Sequence, residues 1–124
     1  MNERAIKWQP VPDIDHGFGS ISFTYGPEES RVVSVLMRGS RNLCLRFTGV
    51  IALHFEDECP GNFPIPKELP MLRTGVTFPL LQIENSHWHT EWPMYSGLVH
   101  FVLISSDDLV HLITRPNVEV SWEQ

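Results

Sequence analysis

Histidines are the side chains in this sequence with the widest capacity for chemistry, and four of the six lie in its last third. His87 and His89 flank Trp88. Residues two positions apart on a strand point to the same face, so this pair could chelate a metal ion. His100 and His111 become diagonal neighbours if the segments around them pair as a hairpin. Two such imidazoles could bind metal or respond to pH, although hydrogen-bonded structural histidines are commoner.

A partial resemblance to the cupin barrel is carried by residues in one stretch: His87, His89, Glu91, Gly97 and His100. It implies a small β-barrel enzyme that binds a metal or ligand through His87, His89, His100 and His111. The spacing departs from the cupin pattern, because the glutamate follows the second histidine too closely and His100 lies too near for a second motif. If the segment is helical, His87 and His89 point roughly 200° apart and cannot chelate. This function is therefore the alternative, and we expect no cofactor.

Acidic and aromatic side chains favour a different function, the binding of another protein. Four tryptophans occur in 124 residues, and aromatic residues dominate interface hot spots as well as cores. Trp88 and Trp92 would share one face of a short helix near 86–92 that ends before Pro93. An acidic run at 56–58 opens the loop that contains Phe63. The predicted partner-binding residues are Glu56, Asp57, Glu58, Phe63, Trp88 and Trp92.

The elements that would position these residues are strands. Apolar and polar residues alternate from Arg31 to Glu56, which is typical of strands with one buried face. A three-residue loop at 39–41 keeps both apolar sets on the same face, whereas a two-residue loop would separate them. The predicted pairs are Met37 with Leu43, Val35 with Leu45, and Val33 with Phe47. The second arm is too long for a flat strand, so Gly49 at its middle indicates a bend or bulge.

The C-terminal part repeats this pattern. Strands Leu98–Ile104 and Leu109–Thr114 flank a polar turn at 105–108, and a second turn at 115–117 leads into a strand at Val118–Trp122. The apolar face of this meander would contain Phe101, Leu103, Val110, Leu112, Val118, Val120 and Trp122. The opposite face carries His100 and His111 and is apolar in its middle. Another layer or a partner, such as a second copy of the chain, has to cover it.

The remaining segments complete a mainly β fold. Further strands are predicted at 5–8, 20–25 and 78–84, and a proline-rich connection at 56–77 either packs over a sheet edge or forms a mobile binding loop. The predicted fold class is antiparallel sheets, arranged as a meander, a sandwich or a partly open barrel, with one short helix near 86–92. A length of 124 residues fits a single domain, 1–124.

Composition limits the class of partner. The formal charge is −6, which argues against nucleic acid because phosphate binding needs a concentrated basic face. The sequence has no apolar stretch near the ~18 residues of a membrane span and no signal peptide, so we expect a cytoplasmic protein that does not bind membranes. Cys44 and Cys59 are expected to be free thiols. No catalytic motif has the required spacing, so we favour a non-enzymatic function.

The tail from Phe78 to Trp122 resembles the ends of small bacterial proteins, some of which look like toxin-immunity proteins. The resemblance is carried by the apolar strand at 79–83, Ser86 with Trp88, the hairpin around Asp107-Asp108 and the strand at 118–122. It covers about a third of the chain. It implies a bacterial, cytoplasmic protein that acts by binding another protein, and it assigns no site residues. With the charge of −6, we expect that partner to be basic.

Overall fold

The computed structural model describes residues 4–14, 17–57, 78–84, 86, 97–106 and 108–123, with residues 56 and 57 as backbone. The strands are β1 (Arg4–Lys7), β2 (Ser20–Tyr25), β3 (Val32–Arg38), β4 (Leu43–Asp57), β5 (Leu80–Glu84), β6 (Val99–Ile104) and β7 (Asp108–Trp122). Within this part of the chain, no helix is long and apolar enough to cross a membrane. The helix predicted near 86–92 lies outside the described residues except for Ser86.

The seven strands form one antiparallel sheet in the order β1-β5-β6-β7-β4-β3-β2. The prediction of a mainly β, antiparallel fold is confirmed. The sheet is not closed into a barrel, because β1 and β2 are its two ends. Antiparallel sheets were predicted in the plural, but β4 pairs with β7 along its length and joins the N-terminal and C-terminal strands into one sheet.

The hairpin of β3 and β4 has the register that the alternation predicts. Val33 pairs with Phe47, Val35 with Leu45 and Met37 with Leu43. All six side chains are at most 3% exposed. The position of the turn therefore decides which face is buried, because a shift by one residue would turn every apolar side chain to the other face.

The long strand β4 is interrupted where Gly49 indicated a bend or bulge. Gly49 has φ +93, and the β4–β7 register shifts on either side of Val50. The alternation slips at this irregularity, so Val50 is buried in the core, whereas Ile51, which the simple alternation assigned to that face, is half-buried. A bulge inserts an extra residue into one strand and thereby changes which side chains follow the core face.

The second turn predicted at 115–117 is wrong, because β7 runs without interruption from Asp108 to Trp122. Pro116 lies opposite the irregular part of β4, between the pairs Thr48–Asn117 and Val50–Thr114. A proline is tolerated at a bulge because no ladder hydrogen bond is needed from its nitrogen. The sequence pattern at Arg115-Pro116-Asn117 therefore marks a register shift within a strand.

Side chains from both halves of the sheet meet in one core. The rings of Phe47 on β4 and Phe101 on β6 lie 5.7 Å apart. Trp8, which follows β1, contacts both, at 6.3 Å and 4.2 Å between ring centroids. The face predicted to be apolar is confirmed, since Phe101, Leu103, Val110 and Leu112 are buried in this core and Val118, Val120 and Trp122 pack against it.

The opposite face of β5, β6 and β7 forms a second apolar cluster. Leu81, Ile83, Val102 and Leu109 are at most 3% exposed, and His100, His111 and Ile113 are fully buried on the same side of the sheet. The single chain already excludes water from these side chains. The homodimer through this face stays a prediction.

Gly49 gives a test of the bulge. A Cβ at this position would lie 3.1 Å from both Cβ and Cδ of Arg115, in a backbone region that L-residues rarely adopt. Gly49→Ala is therefore expected to lower the free energy of unfolding by about 1–3 kcal/mol. Gly17→Ala is the matched control, because nothing lies within 4 Å of its added Cβ, and it should change stability by less than about 0.5 kcal/mol. Urea unfolding measures both, and equal losses would contradict the assignment of a strained bulge.

Candidate functional site

Three aromatic side chains form a cluster that reaches the surface, and we call Phe23, Tyr25 and Phe55 the aromatic patch. Tyr25 is 68% exposed and Phe55 is 40% exposed, and they are the exposed large hydrophobic residues of the described chain. The ring of Phe23 lies 5.8 Å from that of Tyr25 and 5.7 Å from that of Phe55. Grouped exposed aromatic rings are a feature of binding surfaces.

The strands β2 and β4 explain why these rings meet. Ile21, Phe23 and Tyr25 alternate onto one face of β2, where Ile21 is buried and Phe23 packs against the core. Phe55 lies near the end of β4, beyond the bulge. The face of the sheet that carries the core therefore extends beyond the buried residues, and the aromatic patch is its exposed end. Phe23 connects the two because it packs against the core.

An acidic turn at residues 26–31 joins β2 to β3 beside the patch. Glu28 and Glu29 are exposed there. Glu29 and Arg31 have φ +68 and +56, a left-handed conformation that costs a non-glycine residue roughly 1–2 kcal/mol. The carbonyl of Arg31 accepts hydrogen bonds from the amides of Gly49 and Val50, at 3.0 Å and 2.9 Å. The bulge of β4 therefore holds the acidic turn in place.

A groove of about 700 Å³ lies between this turn and β4. It is lined by Tyr25, by residues 26–33 and by residues 50–53. The aromatic patch, the acidic turn and the groove together combine apolar contact area with negative charge. Such a surface suits a partner that carries apolar and positively charged side chains.

A second group of interest, besides the aromatic patch, is a chain of polar side chains buried on the other face of the sheet. His100 Nε2 lies 3.0 Å from His111 Nδ1, and Ser86 Oγ lies 2.6 Å from His100 Nδ1. Both histidines are fully buried. They are diagonal neighbours, as the hairpin predicted, because His111 pairs with Val102 and His100 with Ile113.

His54 of β4 lies directly opposite His111 in the β4–β7 pair, with ring centroids 5.9 Å apart. Burial and, as the smaller cause, the electrostatic effect of His54 together lower the pKa of His111 from 6.5 to about 3. His111 is therefore neutral at neutral pH. A neutral imidazole has one donor and one acceptor nitrogen, which suits a directional hydrogen-bond chain.

Metal binding needs more ligands than this pair provides. No group of three or more His, Cys, Asp or Glu side chains among the described residues is arranged to hold a metal ion. His87 and His89 lie outside the described residues. The four-histidine metal site therefore stays a prediction, and elemental analysis of the purified protein tests it.

The predicted partner-binding residues fall mostly outside the described part. Glu58, Phe63, Trp88 and Trp92 lie outside it, and so does Cys59. The backbone of Glu56 and Asp57 forms the end of β4, paired with Leu109 and Asp108 of β7. This end directly follows Phe55, so part of the predicted surface adjoins the aromatic patch.

The aromatic patch was not predicted from the sequence. Phe55 belongs to an alternating apolar series and was assigned to the buried face, and Tyr25 was the last residue of a predicted strand. The signal in the sequence was the acidic pair Glu28-Glu29 after Gly26-Pro27, which marks an exposed turn next to Tyr25.

Comparison with protein-family models, curated proteins and solved structures found no significant match to this chain.

Proposed function

We propose that this protein is a non-enzymatic binding module that holds a basic partner protein through the aromatic patch and the acidic turn. The observation that carries the proposal is the exposure of Tyr25 and Phe55, at 68% and 40%, in a ring cluster beside Glu28 and Glu29. Exposed aromatic rings supply the apolar contact area of an anchor, and the acidic side chains attract and orient a basic partner. The net charge of −6 supports the same choice of partner.

An immunity-protein-like role in the bacterial cytoplasm is compatible with this proposal. Such a protein acts by binding to another protein, which requires a binding surface and no catalytic group. Cys44 is a free thiol, in keeping with a reducing compartment. A toxin gene beside the gene for this chain would support the role.

Removal of the two exposed rings tests the proposal. The variant with Tyr25→Ser and Phe55→Ser should bind the partner at least about tenfold more weakly, because interface aromatics contribute most of the contact energy. The partner is first purified with the wild-type protein from its source cells, then titrated as a pure protein by calorimetry. Thr24→Ala is the matched control, because Thr24 is also exposed on β2 but points to the opposite face.

Unchanged affinity of the double variant for a partner of the wild-type protein would contradict the proposal. The same conclusion would follow if the bound partner were acidic and its affinity did not depend on salt. Circular dichroism of each variant establishes that the fold is retained, so that a loss of binding reports on the surface alone.

A further inference from the structure

The strand β2 is one end of the sheet, and β3 is its neighbour on one side. The amide of Gly26 donates to the carbonyl of Val32 of β3, at 2.8 Å. The amide of Ile21 instead donates away from β3, to Oδ2 of Asp108, at 2.9 Å. Because backbone groups alternate along a strand, the amides and carbonyls of Phe23 and Tyr25 also face away from β3. This outer edge is the same length of chain that carries two rings of the aromatic patch.

The residues of β2 themselves do not provide the usual protection of an edge strand. Natural proteins protect such edges with charged residues, prolines or very short strands. The six residues of β2 include no charged residue and no proline. The opposite end of the sheet differs, because β1 has four residues with Arg4 and Lys7 at its ends, and Arg4 forms an ion pair with Glu84.

Asp108 limits where another strand can pair with this edge. Its carboxylate is buried, with 8% of the residue exposed, and it occupies the outward amide of Ile21. The turn between β6 and β7 is held at the same corner, because the amide of Ser106 donates to the carbonyl of Phe18, at 2.8 Å. Within the part of the chain that the structure describes, the open part of the edge therefore starts after Ile21 and runs through Tyr25 towards the acidic turn.

Building on the proposed function, we propose that the partner contributes an extended, basic segment that adds to β2 as a further strand. Backbone hydrogen bonds to Phe23 and Tyr25 would hold this segment in place. An apolar side chain of the segment would contact the aromatic patch, and a lysine or arginine would lie beside Glu28 and Glu29. The charge of −6 on each chain disfavours a second copy of this protein as the occupant.

Defined peptides test the chemistry of the occupant. The first probe is a peptide of about nine residues with alternating valine and threonine and lysine at both ends, long enough to cover the free edge. The second has glutamate in place of lysine, and the third is the lysine peptide N-methylated at alternate amides. Fluorescence anisotropy should show binding of the lysine peptide, with the other two at least about tenfold weaker. Equal binding of all three would overturn the proposal.

Two substitutions at Tyr25 separate strand addition from contact with the ring. Tyr25→Ser removes the ring and keeps the outward amide, whereas Tyr25→Pro removes both without removing a donor to β3. The proline variant should bind the lysine peptide at least about fivefold more weakly than the serine variant. Equal affinity of the two variants would overturn strand addition, while the proposed function would stand if the serine variant bound the partner more weakly than wild type.

Hydrogen exchange of the wild-type protein provides a second measurement that does not depend on the folding of the proline variant. Addition of the lysine peptide should slow exchange of the Phe23 and Tyr25 amides at least about tenfold and leave the Ile21 amide unchanged. Unchanged exchange at Phe23 and Tyr25 would overturn the proposal. Light scattering that found a wild-type dimer and a Tyr25→Pro monomer would also overturn it, in favour of a second copy as the occupant.

Discussion

Phe47→Ala is expected to lower the free energy of unfolding by about 3–5 kcal/mol, whereas Phe55→Ala should lower it by less than about 1 kcal/mol. Both phenylalanines lie on β4 and point to the same face of the sheet. Phe47 is fully buried and contacts Trp8 and Phe101, so its loss leaves a cavity where the two halves of the sheet meet. Phe55 is 40% exposed, and its removal leaves space that solvent fills.

Urea unfolding monitored by circular dichroism measures this pair of variants. The comparison also bears on function, because a ring that contributes little to stability yet stays on the surface is available to a partner. Similar losses from the two substitutions would mean that Phe55 belongs to the core, and the aromatic patch would no longer qualify as a binding surface.

Acidification from pH 7 to pH 4 is expected to destabilise the protein by about 3 kcal/mol through His111 alone. The unfolded chain binds a proton at this histidine below pH 6.5, whereas the folded protein resists protonation until about pH 3. The contribution of His111 to the free energy of unfolding is therefore fully present above pH 6.5 and is lost as the pH falls towards 3. The slope in this window corresponds to one proton, about 1.4 kcal/mol per pH unit.

The variant His111→Gln isolates this contribution, because glutamine does not titrate and can still hydrogen-bond to His100. Urea unfolding at several pH values should give it a shallower acid slope than the wild type, by about one proton. His54→Gln is the companion variant. This substitution removes the electrostatic effect of His54 on His111 and should reduce the acid destabilisation by a smaller amount, because burial is the larger cause of the lowered pKa of His111. Identical acid slopes for wild type and His111→Gln would contradict the neutral, buried state of His111.

The alternation of apolar residues predicted the local parts of the fold correctly. The register of β3 and β4, and the neighbourhood of His100 and His111, follow from short turns whose length decides which side chains share a face. The irregular centre of β4 was also visible, because Gly49 interrupts the apolar series. The turn predicted at Pro116 was wrong because a proline in an apolar series can mark either a turn or a bulge within a strand. The pairing with β4, which is distant in the sequence, places Pro116 at a bulge.

The candidate binding surface could not be predicted in the same way. Alternation assigns a residue to a face, but it does not say where along the strand the core ends. Phe55 is exposed because β4 extends past the buried core, and Tyr25 is exposed because β2 is an end of the sheet. The extension of β4 past the core depends on its pairing with β7, which joins segments distant in the sequence.

The pairing of β4 with β7 also determines how the chain can fold during synthesis. Strands β2, β3 and β4 are adjacent in sequence and can form a local meander early. The partner of β4 begins only at Asp108, so the ribosome needs roughly 3–10 s to deliver the intervening ~50 residues. During that time the backbone edge of β4 that will pair with β7 stays unpaired, and the apolar side chains of β4 are not yet covered. We expect folding to be slow and the nascent chain to need protection from aggregation until β7 emerges.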